Sequence, residues 1–437
     1  MTPAPLVRYP LAEWILARSR RGGPFARGWL GQPYAYLVGP AANEFVFAHD
    51  DHFSQHEAMK ALIPVDGPTS VVVSDPPEHA RRRALVRPGL HHKQVVGYVD
   101  IMARTAAEAL DSVVAEEAFD AYALFRAAIR RSTMRCLFGE RVAAHADDVG
   151  DALQPLIELA GLMPQLIGVH ERLNTPRWRR AMAARATLDR FVLGEIDRLA
   201  TQPEQQESQV LSVLVHGRDG TGSGLTRAEV RDQVVTLIAA GYETTSAAMG
   251  WALYGLGGRP DALALARDEV RSVVGDGPVT AEHLTHLRWV NATISEALRL
   301  YPPASISARW VKRELTFAGH RIAPGTMIVY SPYATHRSPE VFADPGVFRP
   351  ERWLEDRKPG PGEYVPFGGG AHRCLGSTMA TTELVVMLAT LLARGGYRLE
   401  PQRVRATGMT SMRPRDGVRI RLTDVVPHSW PGDSAAG

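Results

Sequence analysis

The residues with the clearest chemical potential lie near the C-terminus, in a glycine-crowded loop that carries a single cysteine. The loop at 367–376 reads FGGGAHRCLG and precedes an apolar helix predicted to begin around Ser377. Consecutive glycines let the backbone approach a large planar ligand and adopt positive φ angles. The following helix N-terminus favours sulfur as thiolate. Although a lone cysteine is more often a buried thiol, this setting predicts an axial thiolate to haem iron, which favours O–O cleavage.

An acid followed by two hydroxyls forms a second pattern. The segment at 239–245 reads AAGYETT, so small residues interrupt a bulky helical face just before Glu243 and Thr244. A local bulge there would open space beside a cofactor. A hydroxyl near the iron and a carboxylate behind it can relay protons from solvent, which O–O cleavage requires. Taken alone, the pair fits equally well a solvated acid beside a threonine that bonds its own backbone.

Opposite charges recur at helical spacing before the cysteine loop. Glu296 and Arg299 lie three residues apart on one helical face, and Arg352 lies in the segment FRPERW at 348–353. In isolation the first two residues indicate an exposed pair worth a few tenths of a kcal/mol.

Several basic residues could serve an anionic ligand. His79 and Arg83 lie one helical turn apart, so that the arginines between them face elsewhere. Arg309 follows a proline pair, and His372 lies within the cysteine loop. Bidentate arginine is the natural partner of a carboxylate such as a haem propionate. Taken singly, each residue is more typical of a solvated surface.

A mainly helical scaffold must position these residues. Helical periodicity dominates from about His91 to Leu300. The longest helix starts at a capping box, Thr226 with Glu229, and ends at the segment GGRP at 257–260. Breaks are expected at Pro155, Pro164, Pro176, Pro203 and Pro260.

Strand-like segments cluster outside this helical region. They are Tyr34 to Phe47, Leu315 to Ile322 and Met327 to Tyr330. The polar stretch at 202–208 and the glycine-rich stretch at 217–224 are the best loop candidates. We predict a mainly α fold with small peripheral β-sheets, in a single domain spanning 1–437.

Composition and charge exclude several classes of function. The 437 residues carry a formal net charge of only +3, with basic residues scattered along the chain, which argues against nucleic acid as a partner. Two cysteines are too few for a disulfide framework and fit a reducing compartment, with Cys136 as buried packing. The N-terminus resembles neither a signal peptide nor a membrane anchor, and the longest apolar run, Leu384 to Ala393, predicts a core helix. We therefore expect a cytoplasmic protein.

Taken in order, the motifs resemble those of the cytochrome P-450 superfamily of haem-thiolate monooxygenases, in its soluble bacterial type. The haem signature aromatic-x-x-Gly-x-x-x-Cys-x-Gly is met across 367–376. The segment from Ala240 resembles the oxygen-activation motif, with Glu243 where Asp is commoner. The resemblance implies the cytochrome P-450 fold, a triangular helical prism. Haem b would lie between the long central helix and the helix after the cysteine loop.

The resemblance also implies a role for each candidate residue. Cys374 is the iron ligand, Thr244 the hydrogen-bonding alcohol and Glu243 the relay acid. A buried charge network beneath the haem would consist of Glu296, Arg299 and Arg352. The residues implied to hold the cofactor are His79, Arg83, Ala240, Arg309, Phe367, Gly368, Gly370, His372 and Gly376. Those implied to line the substrate cavity are Met163, Ala239, Ile306, Met409 and Thr410.

The implied activity is insertion of one oxygen atom from O2 into a lipophilic small molecule. Terpenoid, fatty acyl, steroid and other secondary-metabolite skeletons all remain open. The sequence has no flavin or iron–sulfur motif, so a separate ferredoxin or flavodoxin with its NAD(P)H reductase would supply electrons. Candidate contacts for this acidic partner are Arg87, His91, His92, Lys93 and Arg373.

Two other functions stay open at this point. A non-catalytic haem-binding sensor or carrier would need no proton relay, so the pair Glu243-Thr244 argues against it. A peroxide-driven peroxygenase of this family would carry Arg-Pro in place of that pair, and the chain does not.

Overall fold

Helices form most of the protein. The computed structural model describes residues 6–29, 31–201, 209–220 and 222–425. The helices are α1 (Pro10–Gly22), α2 (Pro40–Ala48), α3 (Gln55–Met59), α4 (Ile63–Asp66), α5 (Glu78–Val86), α6 (His92–Val96), α7 (Val99–Leu110), α8 (Ala121–Phe138), α9 (Glu140–Ala143), α10 (Ala146–Ala160), α11 (Pro164–Arg172), α12 (Pro176–Thr201), α13 (Gln209–His216), α14 (Arg227–Gly257), α15 (Pro260–Val274), α16 (Arg288–Leu300), α17 (Pro332–Thr335) and α18 (Ser377–Arg394).

The strands are short and form small sheets. They are β1 (Phe25–Trp29), β2 (Pro33–Leu37), β3 (Phe53–Ser54), β4 (Ala118–Asp120), β5 (Ser307–Val311), β6 (Leu315–Phe317), β7 (His320–Ile322), β8 (Met327–Tyr330), β9 (Gly396–Leu399), β10 (Ala406–Thr407), β11 (Arg413–Pro414) and β12 (Arg419–Thr423). The largest sheet has the order β1-β2-β8-β5-β3, in which only β2 and β8 pair in parallel. A three-stranded sheet, β4-β12-β9, and two hairpins complete the β structure. The predicted mainly α fold with small sheets is confirmed.

The central helix α14 crosses the protein and is buried along most of its length. Its 31 residues span roughly 46 Å at 1.5 Å per residue. The predicted capping box is present: the amide of Glu229 donates to Thr226 Oγ1 (3.2 Å), and the amide of Thr226 donates to Glu229 Oε2 (2.9 Å). The expected bulge near Glu243 is absent, because α14 continues as a regular α-helix through that segment. The hydroxyl of Thr244 instead bonds the carbonyl of Ala240 (2.7 Å).

Two local predictions were wrong. The strand expected over Tyr34 to Phe47 ends at Leu37, because Gly39 turns the chain with φ 105° and Pro40 then begins α2. Pro155 lies inside α10 and does not end it, whereas Pro164, Pro176 and Pro260 each begin a helix as their fixed φ favours. The remaining predicted break, Pro203, and the loop at 202–208 lie outside the described residues.

The core surrounds α14 and α18. Within α18 the apolar run from Leu384 is almost wholly buried, and Cys136 on α8 is buried too, as predicted. In the described part of the chain, no single helix is both long enough and apolar enough to cross a bilayer. The successive helices α10 and α11 reach that length and composition together, but they bend by 109° where they meet.

Candidate active site

Cys374 lies in the loop that leads into α18. Its amide donates to the carbonyl of Phe367 (3.0 Å), which closes the loop. Burial raises the pKa of the thiol above its usual value, against the opposing effects of the Gly376 amide and the Arg373 guanidinium. Cys374 is nonetheless an exposed residue. Both observations hold if the sulfur is enclosed by protein but faces a space inside the molecule.

The glycines of the loop are required by its shape. Gly368 and Gly370 have φ values of 64° and 65°, in the left-handed region that side chains disfavour. A Cβ on Gly369 would clash with Cδ2 of Phe47, so the loop packs closely against that ring. By contrast, no atom lies within 4 Å of the position of a Cβ on Gly376. The loop is therefore packed on one side and open beside Gly376.

Buried basic side chains lie close to this loop. His79 on α5 and His372 of the loop are tilted against each other, with ring centroids 4.0 Å apart. Burial, followed by the charge of Arg83, lowers the pKa of His79. Burial, followed by His79 and Arg309, lowers the pKa of His372 to about 3. The two imidazoles therefore lie close enough to Arg83 and Arg309 to be influenced by their charges.

Two of these groups have no carboxylate counter-charge among the residues that the structure describes. Arg309 is only 4% exposed, and its Nη1 donates to the carbonyl of Ala308 (2.9 Å). Arg83 donates to the carbonyl of Arg373 (2.8 Å). Among the described residues, no carboxylate pairs with either guanidinium. Because a buried cation is costly without an anion, this arrangement fits a ligand with carboxylates, such as the propionates of haem.

The arginines between His79 and Arg83 face elsewhere, as the helical spacing predicts. Arg81 and Arg82 both bind Glu229 in the first turn of α14, with Arg82 Nε 3.0 Å from Glu229 Oε1. These ion pairs fasten α5 to the central helix.

The middle of α14 presents Ala240 and Thr244 on an accessible face, while Glu243 points the other way and is 5% exposed. Glu243 Oε2 accepts from Nε (3.1 Å) and Nη2 (2.9 Å) of Arg126 on α8. Its Oε1 lies 3.3 Å from Nη1 of Arg413 on β11. Sequence reasoning missed both arginines, because no local motif marks them and both are far from Glu243 in the chain.

Glu296, Arg299 and Arg352 meet in a buried network. Arg299 donates from Nε and Nη2 to the two carboxylate oxygens of Glu296, each at 2.8 Å. Arg352 Nε donates to Glu296 Oε1 at 3.2 Å. Trp353 Nε1 adds a bond to Oε2 (2.9 Å), a partner that the sequence did not reveal. Burial alone would raise the pKa of Glu296, but the charges of Arg299 and Arg352 hold it below its usual value.

The residues predicted to line a substrate cavity come from separate elements. Ala239 is buried on α14, and Ile306 is half-buried before β5. Met409 and Thr410 lie in the loop between β10 and β11. This loop is fixed to α14, because Trp251 Nε1 donates to the carbonyl of Met412 (2.8 Å). Met163, by contrast, is 37% exposed just before α11.

Comparisons with known proteins show what this chain is similar to. A family model described as Cytochrome P450 matches residues 11–420. Putative cytochrome P450 139 of Mycobacterium tuberculosis is 43% identical over 429 residues, covering 96% of this chain and 100% of that protein. Cyclooctat-9-en-7-ol 5-monooxygenase of Streptomyces melanosporofaciens is 32% identical over 410 residues, covering 91% and 88%. The solved structure of retinoic acid bound cyanobacterial CYP120A1 superposes with a TM-score of 0.85 at 24% identity, covering 93% of each chain.

Proposed function

Since the chain belongs to the cytochrome P450 family and is a monooxygenase of that family, we propose that it inserts one oxygen atom from O2 into a terpenoid. The family implies a haem cofactor, a small-molecule substrate and redox partners. The terpenoid class of the substrate is a more specific proposal than these family properties. Its support is the likeness to a relative named for a cyclic alkenol, together with apolar cavity candidates such as Ala239, Ile306 and Met409.

The observation that carries the assignment of the site is the accessible Cys374 beside Arg309, which is buried, and Arg83, which is half-buried. In the described part of the chain, neither guanidinium pairs with a carboxylate. Cys374 would ligate the iron, and Arg83, Arg309, His79 and His372 would hold the propionates. The left-handed glycines would let the backbone of the loop come close to a planar group. When bound, haem supplies oxygen activation and electron transfer.

The protein itself must supply protons at defined atoms. Thr244 Oγ1 now donates to the carbonyl of Ala240 on the face of α14 that carries the accessible residues. Rotation about its side-chain bond would direct that proton toward the oxygen substrate. Glu243, on the adjacent buried face, would replenish it. Two arginines fix the orientation of this carboxylate.

Electrons would come from an acidic ferredoxin or flavodoxin that docks near the cysteine loop. The exposed basic residues there are Arg87, His91, His92, Lys93 and Arg373. Three of them, Arg87, His91 and Lys93, line one open groove of about 490 Å³. An acidic partner complements this charge.

The direct test is turnover with a surrogate ferredoxin and reductase on a panel of polycyclic terpenes in isotopically heavy O2. The proposal predicts a terpenoid product that carries one heavy oxygen atom. Turnover of fatty acids or steroids alone would reject the terpenoid assignment. Haem binding without NADPH consumption on any substrate would instead indicate a sensor or carrier.

A further inference from the structure

The segment at 63–73 packs against α12 and α14, and side chains of α14 bond its backbone. Gln233 makes two such bonds: its Oε1 accepts from the amide of Val71 (2.9 Å), and its Nε2 donates to the carbonyl of Thr69 (2.7 Å). The Asp232 carboxylate accepts from the amide (2.9 Å) and from the hydroxyl (2.6 Å) of Thr69. Side chains of a helix therefore fix this stretch of loop.

Arginines of both helices hold the start of the segment, which is α4. Arg185 on α12 donates from Nη1 to the carbonyls at 63 and 64, each at 3.2 Å. Arg231 on α14 donates from Nη1 to Asp232 Oδ1 (2.9 Å), and the same nitrogen lies 3.5 Å from the carbonyl oxygen of Asp66. Movement of α4 would break these bonds to charged groups, which are stronger than bonds between neutral groups.

Two carboxylates share this location. Asp232 is 5% exposed, and Asp66 is 8% exposed. Gly67, which follows Asp66, has a φ of 88°, and a Cβ on it would clash with the Asp232 carboxylate. The backbone at 66–67 therefore lies directly against Asp232, which brings two acids together with the guanidinium of Arg231.

Burial changes the ionisation of Asp66. It raises the pKa of this carboxyl to about 7, since the opposing charge of Arg231 is offset by the like charge of Asp232, and Thr236 and Arg185 oppose the shift only partly. In an open segment the carboxyl would ionise near its ordinary pKa of about 3.9. The stabilisation that neutral Asp66 gives is therefore fully present below that pH and is lost as the pH rises to about 7.

Other ionisable groups face α4 from the elements packed against it. On α12, Asp189 binds Arg231 Nε (2.6 Å) and lies 3.7 Å from Arg185 Nε. The ionisable groups of α10 and of the turn before α4 pair elsewhere or are exposed: Asp147 with Arg130 and Arg131, Asp148 with His145, Glu158 with Gln154, Lys60 with Glu57, and Asp151 exposed. Asp66 is therefore the group that links this cluster to pH.

The held segment borders the accessible face of α14. Thr236 Oγ1 donates to Ser70 Oγ (2.8 Å). Thr236, Ala240 and Thr244 follow one another at four-residue spacing, along one side of the helix. Movement of the segment would therefore change the space beside Ala240.

We propose that Arg231, Asp232 and Gln233 clamp the segment at 63–73, and that loss of a proton from Asp66 to solvent releases this clamp as the pH rises. The inference rests on the proposed function, because the space beside the segment would take the substrate. The three clamping residues are positioning residues, since they contact the segment and not the substrate.

Amide hydrogen exchange of the holoprotein between pH 5 and about 8.5 tests the clamp. After correction for the intrinsic exchange rate, we expect the protection of the amides at 69–73 to fall by about tenfold per pH unit up to about pH 7, and then to level off. In Asp66→Asn, which has the shape of the neutral acid, protection should not fall. Asp151→Asn, at an exposed site on α10, is the matched control and should behave as the wild-type protein.

Ligand entry gives a second readout. In the ferrous holoprotein we expect carbon monoxide to bind faster at pH 8 than at pH 5.5, and at one rate in Asp66→Asn. Gln233→Met loses both bonds to the segment and should bind carbon monoxide fast at either pH. Gln233→Glu keeps an acceptor for the amide of Val71 and should partly restore the slow rate, which a general loss of stability would not predict.

The outcomes separate this inference from the function on which it rests. If Asp66→Asn keeps the pH dependence of the wild-type protein, or if the wild-type protein shows none, the clamp is wrong even where terpenes are oxidised. If protection at 69–73 follows Asp66 but the protein binds no haem or oxidises no NADPH, the clamp stands and the proposed function fails.

Discussion

At the scale of single residues, the site depends on which side chains face the open space and which face the core. On α14, Thr244 lies on the accessible face, whereas Glu243, its neighbour in sequence, is buried against two arginines. This placement fits a relay that runs across the helix from solvent to the cofactor. It also separates the roles of two adjacent residues.

Removal of the Thr244 hydroxyl should uncouple electron use from product formation. In Thr244→Ala we expect NADPH oxidation to continue, while hydroxylated product falls by about tenfold and hydrogen peroxide rises, because the last proton donor is missing. Product and peroxide measured together check this outcome. Thr244→Ser keeps the hydroxyl and serves as the control. An equal ratio of hydroxylated product to NADPH consumed in Thr244→Ala and the wild-type protein would rule out a role for this hydroxyl.

At the scale of elements, buried charge fixes the helices that support the site. The network around Glu296 joins α16 to the segment at 348–353, since Arg349 donates its amide and Arg352 its side chain to the same carboxylate. Glu296, Arg299 and Arg352 are all buried, and Arg299 has no exposed surface. Removing one member of such a network is costly, because the remaining buried charge is left without a partner.

Loss of one member of this network should destabilise the whole protein. In Glu296→Gln two buried guanidinium groups lose their counter-charge, and we expect a loss of roughly 3–5 kcal/mol in the free energy of unfolding. Denaturant unfolding measures this loss. Glu355→Gln, which breaks the partly exposed pair with Arg349, should cost no more than about 1 kcal/mol. Similar values for both variants would contradict the account.

A buried acid on α18, Glu383, should contribute to the pH dependence of stability. Burial raises the pKa of Glu383 to about 8, and the hydroxyls of Ser132 and Thr133 on α8 only partly oppose this. In the unfolded chain, the side chain of this glutamate ionises at its ordinary pKa of about 4.3. The stabilisation that this group contributes is therefore fully present below that pH. As the pH rises from there to the pKa of the folded state, the free energy of unfolding falls by about 1.4 kcal/mol per pH unit. We expect Glu383→Gln to flatten this slope, as measured by unfolding between pH 5 and about 8. A slope equal to that of the wild-type protein would show that Glu383 is ionised when folded.

The sequence predicts those features that short spacings encode. The cysteine loop, the capping box of α14 and the pair Glu296 and Arg299 all lie within a few helical turns or a single loop. Arg126 and Arg413 escaped prediction, because tertiary packing alone brings them to Glu243. The strand predicted through Phe47 failed, by contrast, for a local reason, because Gly39 turns the chain and Pro40 begins α2. The apolar residues of α2 pack against the sheet, and burial there suits a helix as well as a strand.

At the scale of the whole molecule, charge is arranged unevenly although its sum is small. The formal net charge is +3. Five exposed basic residues nevertheless lie in the cysteine loop, in α6 and just before α6: Arg87, His91, His92, Lys93 and Arg373. A local positive field of this kind steers an acidic partner more than it tightens the complex.

Charge reversal in this region should slow electron transfer. In the double variant Lys93→Glu, Arg373→Glu we expect the rate of reduction by an acidic ferredoxin to fall by about tenfold or more at low salt, and the effect to shrink as salt rises. Stopped-flow reduction of the ferric protein measures this rate. Arg321→Glu reverses an exposed charge on β7 and is the control. An unchanged rate in the double variant would place the docking surface elsewhere.

The proposed function depends on a thiolate-ligated haem at Cys374 beside a cavity for a terpenoid. Optical titration of the purified ferric protein tests it most directly, with terpenes, fatty acids, steroids and macrolides as ligands and Cys374→Ser as the control. We predict a Soret blue shift with terpenes, as substrate displaces water from the iron, and loss of the thiolate spectrum in the variant. A wild-type protein without a haem band, or a Cys374→Ser variant with an unaltered spectrum, would contradict the account.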